Sequence, residues 1–233
     1  MQTHSLRADE TPSALSREGY NMSAQRYLEW TLSLPSPRLA WLEKLFQYLG
    51  QHTLPTSHVL ELGCGAGVPC TIKLAQTVDK VVARDISSTQ LDLARKHFRE
   101  AGVPVDNDNG NVELREADML TLAFPGASFN AICAFYSIVQ LSQEGQRLVL
   151  ERSFGWLKPG GYMLFNATKD ASEGVVMEDW LGMKAFCAGF GTEGTLRVVE
   201  DIGFEIIECE TIETEGDAPF TWIIARKPGN AVP

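Results

Sequence analysis

Between residues 58 and 166 short apolar runs alternate with stretches in which apolar residues return every three or four positions. The runs predict strands at 58–62, 80–84, 112–115, 129–134 and 161–166. The helical spacing predicts helices at 68–77, 88–101 and 143–156. Such alternation argues for a parallel sheet covered on both faces. Gly102, Pro104 and the polar run 106–111 mark an exposed loop.

The flanks follow other rhythms. Residues 1–17 hold too little apolar surface to fold alone, and predict a mobile tail or one ordered only against the body. A single domain is therefore expected over 18–233, with a helical cover at 18–50. Within that cover Tyr20, Ala24, Tyr27 and Trp30 or Thr31 share one helical face, Pro35 and Pro37 break the chain, and a helix resumes over 38–49 until Gly50. The two helices should pack on the sheet edge or across the carboxyl ends of its strands. Residues 167–191 are too apolar for a solvated loop and too irregular for one strand. A helix at 193–202 and strands at 203–209 and 219–226, paired antiparallel across the acidic turn 213–218, finish the chain.

Composition narrows the partners. In 233 residues there is room for one α/β domain with modest additions. The net charge of −10 opposes a nucleic acid or an anionic membrane as partner, and the basic cluster 95–99 reads as a solvated helix face with Phe98 turned inward. Five cysteines without C-x-x-C spacing suggest neither a disulfide framework nor a metal site. A cytoplasmic location is the expectation, since the chain shows no membrane span and no signal-peptide pattern.

The chemistry centres on residues 59–75, VLELGCGAGVPCTIKLA. Gly63, Gly65 and Gly67 allow a sharp turn after a buried strand, with nothing to stop a ligand lying on the backbone. A helix starting near Val68 would turn free N–H groups toward that ligand. The dinucleotide pattern G-x-G-x-x-G/A fails, because its last small residue falls on Val68 or Cys70. Asp85 ends the second strand, where a carboxylate can accept both hydroxyls of a ribose; capping the next helix is its alternative role, for which Ser87 and Ser88 compete. Asp118, just past the third strand, can accept from an adenine amino group while Met119 packs on the ring; on its own, that acid serves equally well as a turn residue.

The spacing E-L-G-C-G-A-G, Asp85, Ala117-Asp118-Met119, the run SFNAICAF and the turn WLKPGG together resemble the motifs of the class I S-adenosylmethionine (SAM) dependent methyltransferases. The resemblance covers residues 58–166 and implies a Rossmann-like, seven-stranded, mostly parallel sheet with helices on both faces and the last strand antiparallel. It implies SAM as cofactor and S-adenosylhomocysteine as product. Glu61, Gly63, Cys64, Gly65 and Gly67 would hold the methionine part, Asp85 the ribose, and Asp118 with Met119 the adenine; Ile86, Gln90, Phe135 and Tyr136 would complete the cofactor site. The pattern Y-x-x-x-A-x-x-Y resembles a segment that lies over the bound cofactor, which adds Tyr20 and Tyr27. Trp180, Met183, Phe186 and Cys187, in a segment that follows the carboxyl end of a strand, are the expected acceptor pocket.

Methyl transfer from a sulfonium is an in-line displacement, so positioning and exclusion of water carry most of it. A thiol ionises near neutrality without much help, whereas an alcohol needs a base. Related small-molecule methyltransferases often have histidine where this chain has Gln140, and Gln140 and Tyr136 are left as positioning residues. PSPRLAWLEKL, EDWLG and WIIARK resemble enzymes of fungal secondary metabolism, some of which S-methylate dithiols. The expectation is a small-molecule acceptor, with S before N before O. The rival is a SAM-binding protein without transfer, either a regulatory partner or a SAM-scaffolded cyclase.

Overall fold

A computed structural model describes residues 2–106 and 110–229. Half of the expected loop at 106–111 (residues 107–109) lies outside the described residues. In chain order the elements are β1 (Thr3–His4), α1 (Pro12–Ser33), α2 (Arg38–Leu49), β2 (His58–Leu62), α3 (Cys70–Ala75), β3 (Lys80–Asp85), α4 (Ser88–Glu100), β4 (Val112–Glu116) and β5 (Phe129–Ala134). Then follow α5 (Gln143–Trp156), β6 (Leu157–Thr168), β7 (Ala171–Trp180), β8 (Met183–Phe190), α6 (Gly191–Ile202), β9 (Glu205–Ile212) and β10 (Phe220–Arg226).

Seven strands form one sheet in the order β4-β3-β2-β5-β6-β10-β9. Neighbours are parallel from β4 to β6, and β10 runs antiparallel to both β6 and β9. This is the Rossmann-like sheet with a reversed last strand that the sequence implies. Its strands are apolar on both faces because both are covered. Val59, Val81, Trp222 and Ile224 pack with α2, α3 and α4, while their neighbours Leu60, Val82 and Ile223 pack with α5 and α6.

Four expectations change. The helix expected at 68–77 spans only Cys70–Ala75, because the chain is still in the glycine turn at Gly67 and Pro69 supplies no N–H. Residues 12–17, expected within a tail, are the first turns of α1, capped by Thr11, and Thr3–His4 pairs with Val176 and Met177 of β7. The segment 167–191 is a hairpin, β7 with β8, whose irregular pattern comes from register shifts between Ser172 and Val175 and between Met177 and Trp180. The strand expected at 161–166 is extended at both ends, since β6 runs on to Thr168 to pair with β10.

The two N-terminal helices separate in role. Helix α2 covers the sheet face through Trp41, Leu42, Leu45 and Phe46. Helix α1 crosses the carboxyl ends of the strands. At Ser23 its backbone leaves helical geometry, and the Ser23 hydroxyl is 2.7 Å from Gly19 O and 2.9 Å from Met183 Sδ.

Candidate cofactor and acceptor site

The site begins where β2 ends. Gly63, Gly65 and Gly67 take φ values of 75, 53 and 76°, a region that side chains disfavour. Gly63 and Cys64 N–H both donate to Arg84 O at the end of β3, at 2.8 and 3.1 Å. A Cβ on Gly63 would stand 2.3 Å from Ser137 Cβ, so β2 and the chain after β5 approach closely here. Ser137 Oγ donates to Leu62 O at 2.7 Å and fixes that approach.

Asp85 faces the turn. Its carboxylate accepts from Gly65 N at 2.8 Å and from Ser87 N at 2.9 Å. Burial pushes its carboxyl up, and those N–H donors act against the shift. Ser87, not Asp85, caps α4, by accepting from Gln90 N. Asn21 of α1 accepts from the Ser87 hydroxyl at 2.7 Å and from Thr89 N at 3.2 Å, which fastens the covering helix beside the turn. Asp118 accepts from Leu120 N at 2.9 Å.

Two adjoining cavities open above the strand ends, the second the roomier. The first is lined by Glu61, Gly63, Cys64, Gly65, Asp85, Ile86, Gln90, Asp118, Met119 and Phe135. The second contains Trp180 and Cys187. Tyr20, Tyr27, Tyr136 and Gln140 line both.

Three expected site residues lie elsewhere. Gly67 faces α4, where a Cβ would come within 3.0 Å of Phe98 and 3.2 Å of Ala94; it lets the turn pack on that helix and does not line the cavity. Met183 is buried beneath α1 against Gly19 and Ser23. Phe186 is one residue from Cys187 on a regular strand, so it points to the other face and packs with Leu15, Val176 and Ala188.

Charge inside the site is sparse and unevenly satisfied. Glu61 is 2% exposed, and burial pushes its carboxyl up to about 7 against the pull of Thr71 and Arg38. Its Oε2 and both amide atoms of Gln90 are buried without a hydrogen-bond partner. A cavity offering a turn of backbone, an unpaired carboxylate oxygen and a second carboxylate at Asp85 fits the amino-acid and ribose parts of SAM. Cys187 is pushed up to about 11 and Tyr136 up to about 12, in both cases chiefly by burial. Tyr136 has φ 55°, unusual for a tyrosine, and its N–H donates to Asn166 Oδ1 at 2.6 Å. Among the described residues no histidine lines either cavity.

Sequence reasoning missed Arg38, Thr31 and Asp217. Arg38 and Thr31 line both cavities, and Asp217 lines the second. One signal for Arg38 was present: it opens α2, and a cation at a helix N-terminus opposes the helix dipole. Such a residue needs another reason to be there.

The glycine turn tied to Asp85, with Asp118 beyond the third parallel strand, defines a Rossmann-like nucleotide-cofactor domain of the methyltransferase kind. Residues 59–161 match the family described as a methyltransferase domain, and the motifs that resemble those of the class I SAM-dependent methyltransferases lie almost wholly within that span. Over 228 residues the chain is 25% identical to a sterol 24-C-methyltransferase of Aspergillus fumigatus, covering 88% of this chain and 58% of that protein. A ubiquinone biosynthesis O-methyltransferase of Chelativorans is 33% identical over 105 residues, or 45% of this chain and 38% of the other. The chain thus spans less than two thirds of these relatives. The fold is shared with magnesium protoporphyrin IX methyltransferase of Synechocystis crystallised with SAM, at a TM-score of 0.70 and 14% identity over 95% of this chain and 99% of that one. It is shared also with the [4+2]-cyclase SpnF, at 0.59 and 17% over 81% of each.

Proposed function

We propose that the protein transfers a methyl group from SAM to a small-molecule acceptor, and that a thiol is preferred to a nitrogen or oxygen nucleophile. The observation that carries this is the junction of the two cavities: a cofactor end built on the glycine turn, Glu61 and Asp85 meets an acceptor end through Tyr20, Tyr27, Tyr136 and Gln140.

In this reading Glu61 and the turn at 63–65 hold the amino-acid part of the cofactor, Asp85 the ribose, and Asp118 with Met119 the adenine. Bound SAM supplies an electrophilic methyl group on a sulfonium. The chain's own part is to align the acceptor with that methyl and to keep water out, which the aromatic walls and α1 do by enclosure. Gln140 cannot take a proton, so an acceptor that ionises unaided is favoured. The sequence likeness to enzymes of secondary metabolism supports a specialised acceptor. No helix among the described residues is long and apolar enough to cross a membrane, and we place the activity in the cytoplasm.

Calorimetric titration with SAM and S-adenosylhomocysteine tests the cofactor, and S-adenosylhomocysteine formation in the presence of small thiols tests transfer. Micromolar binding followed by thiol-dependent turnover is expected. Binding with no turnover of any thiol, amine or phenol would instead support a SAM-binding protein that transfers nothing.

A further inference from the structure

Resting on that reading, we propose that α1 and the β7–β8 hairpin move as one lid, that the cofactor passes only when this lid lifts away from α4, and that Asn21 is its latch.

The two parts of the lid come from distant stretches of chain but pack as one body. Strand β1, just ahead of α1, pairs with β7. Arg26 Nη1 of α1 donates to Leu181 O in the hairpin turn at 2.9 Å, and Leu15 packs with Val176, Phe186 and Ala188. A Cβ on Gly19 would stand 2.8 Å from Met183 Sδ and 2.9 Å from Lys184 O, and one on Gly182 would strike Arg26. Helix and hairpin are thus too closely packed to slide past one another. Trp180 closes the seam between them, with ring centres 5.4 Å from Trp30 and 5.8 Å from Tyr27.

This body is fastened unevenly. Away from α4, the base of the hairpin is bonded to α5: Gln143 Nε2 donates to Gly189 O at 2.9 Å and Gln146 Nε2 to Ala188 O at 2.8 Å. The chain crosses between hairpin and sheet beside these bonds, at 168–171 and at Gly191, which makes this side the hinge. On the cofactor side the bonds are those of Asn21. Its Oδ1 accepts from Ser87 Oγ at 2.7 Å, from Thr89 N at 3.2 Å and from Ser88 Oγ at 3.5 Å. The Arg17–Glu116 pair nearby, 4.0 Å long and half exposed, adds little.

Polar atoms beneath the lid give it a reason to move. Ser16 Oγ, Glu61 Oε2, both amide atoms of Gln90 and Gln140 Oε1 belong to the wall of the first cavity, yet each is shut off from solvent without a hydrogen-bond partner. Leaving such atoms unpaired is costly to the closed chain. Lifting the lid brings them water, whereas a cofactor pairs them with the lid down, so binding shifts the balance toward closure.

The test locks the latch. The full chain carrying N21C and S88C, in a C209S background that removes the exposed thiol, is loaded with tritiated S-adenosylhomocysteine and oxidised with copper phenanthroline. Release is expected to be at least tenfold slower than from the reduced form, and dithiothreitol should restore it. Uptake by chain oxidised before loading should slow equally. Equal rates in the two forms overturn the proposal. N21A should release S-adenosylhomocysteine at least threefold faster than the wild type, and an unchanged rate overturns the role of Asn21 even if the double variant does not fold. A wild type that does not bind S-adenosylhomocysteine sinks the methyltransferase reading. The lid is then decided by N-ethylmaleimide alkylation of Cys187, on the second cavity's wall, followed by peptide mass: at least fivefold slower labelling in the oxidised form supports it, and an equal rate overturns it.

Discussion

Asp85 and Gly65 are joined across the mouth of the sheet: the carboxylate at the end of β3 accepts the glycine N–H at 2.8 Å. The turn proposed to meet the cofactor and the acid proposed for its ribose are therefore set in position by one another before any ligand arrives. Asp85→Ala should remove both functions, lowering SAM affinity by ~100-fold or more and stability by about 1–3 kcal/mol. Asp85→Asn, which keeps one acceptor oxygen, should lose affinity but retain most of the stability. Calorimetry and urea unfolding on the two variants check this, and an alanine variant that binds SAM normally would refute the assignment.

Glu61 gives a pH dependence of known sign. Its carboxyl is raised to about 7 from an ordinary 4.5, so the folded chain holds this proton more tightly than the unfolded chain. The associated stability is full below pH 4.5 and is lost as pH rises through 7, an effect on the order of 3 kcal/mol. Glu61→Gln should therefore melt higher than the wild type at pH 8 and gain much less at pH 5. The same variant should bind SAM more weakly at pH 8, and its affinity should lack the wild type's fall below pH 7.

Gly63 is constrained twice, by a φ of 75° and by the Ser137 side chain 2.3 Å from where a Cβ would stand. Gly63→Ala should destabilise the fold by about 2–4 kcal/mol. Adding Ser137→Gly should restore only the steric part, since the backbone strain stays and the bond from Ser137 to Leu62 O is lost. Urea midpoints of the single and double variants separate the two contributions.

Gln140 has a buried Oε1 with no partner and lies on the wall between the cavities. Gln140→His would put a base at that junction. Methylation of phenols is expected to appear or rise with pH through about 6.5, while thiol methylation changes little. A pH–rate profile with both acceptor types reads the difference.

The first half of the central sheet was legible because β2, β3 and β4 are short runs ended by a glycine or an acid, and Gly63, Asp85 and Asp118 at those ends are also residues facing the first cavity. The hairpin β7–β8 was not, because register shifts break the alternation that marks a strand. Phe186 and Cys187 show the consequence: without a register, the face of each is unknowable. Arg38 was hidden differently. The leucines of α2 announce a helix, but only the tertiary structure turns its first residue inward, between Thr31 and Tyr136. Gly67 carries the same lesson in reverse, since a glycine in a ligand-binding pattern also permits a turn to rest on a helix.

The two cavities draw on different stretches of chain. The first is built mainly from the family-matched residues 59–161, whereas much of the second comes from α1, β7, β8 and the turn before β10, all outside that span. Apart from the residues that line both, mutations that reshape the second cavity can therefore accumulate with little effect on the first. A lineage carrying this architecture can change what the second cavity admits while keeping the first as it is.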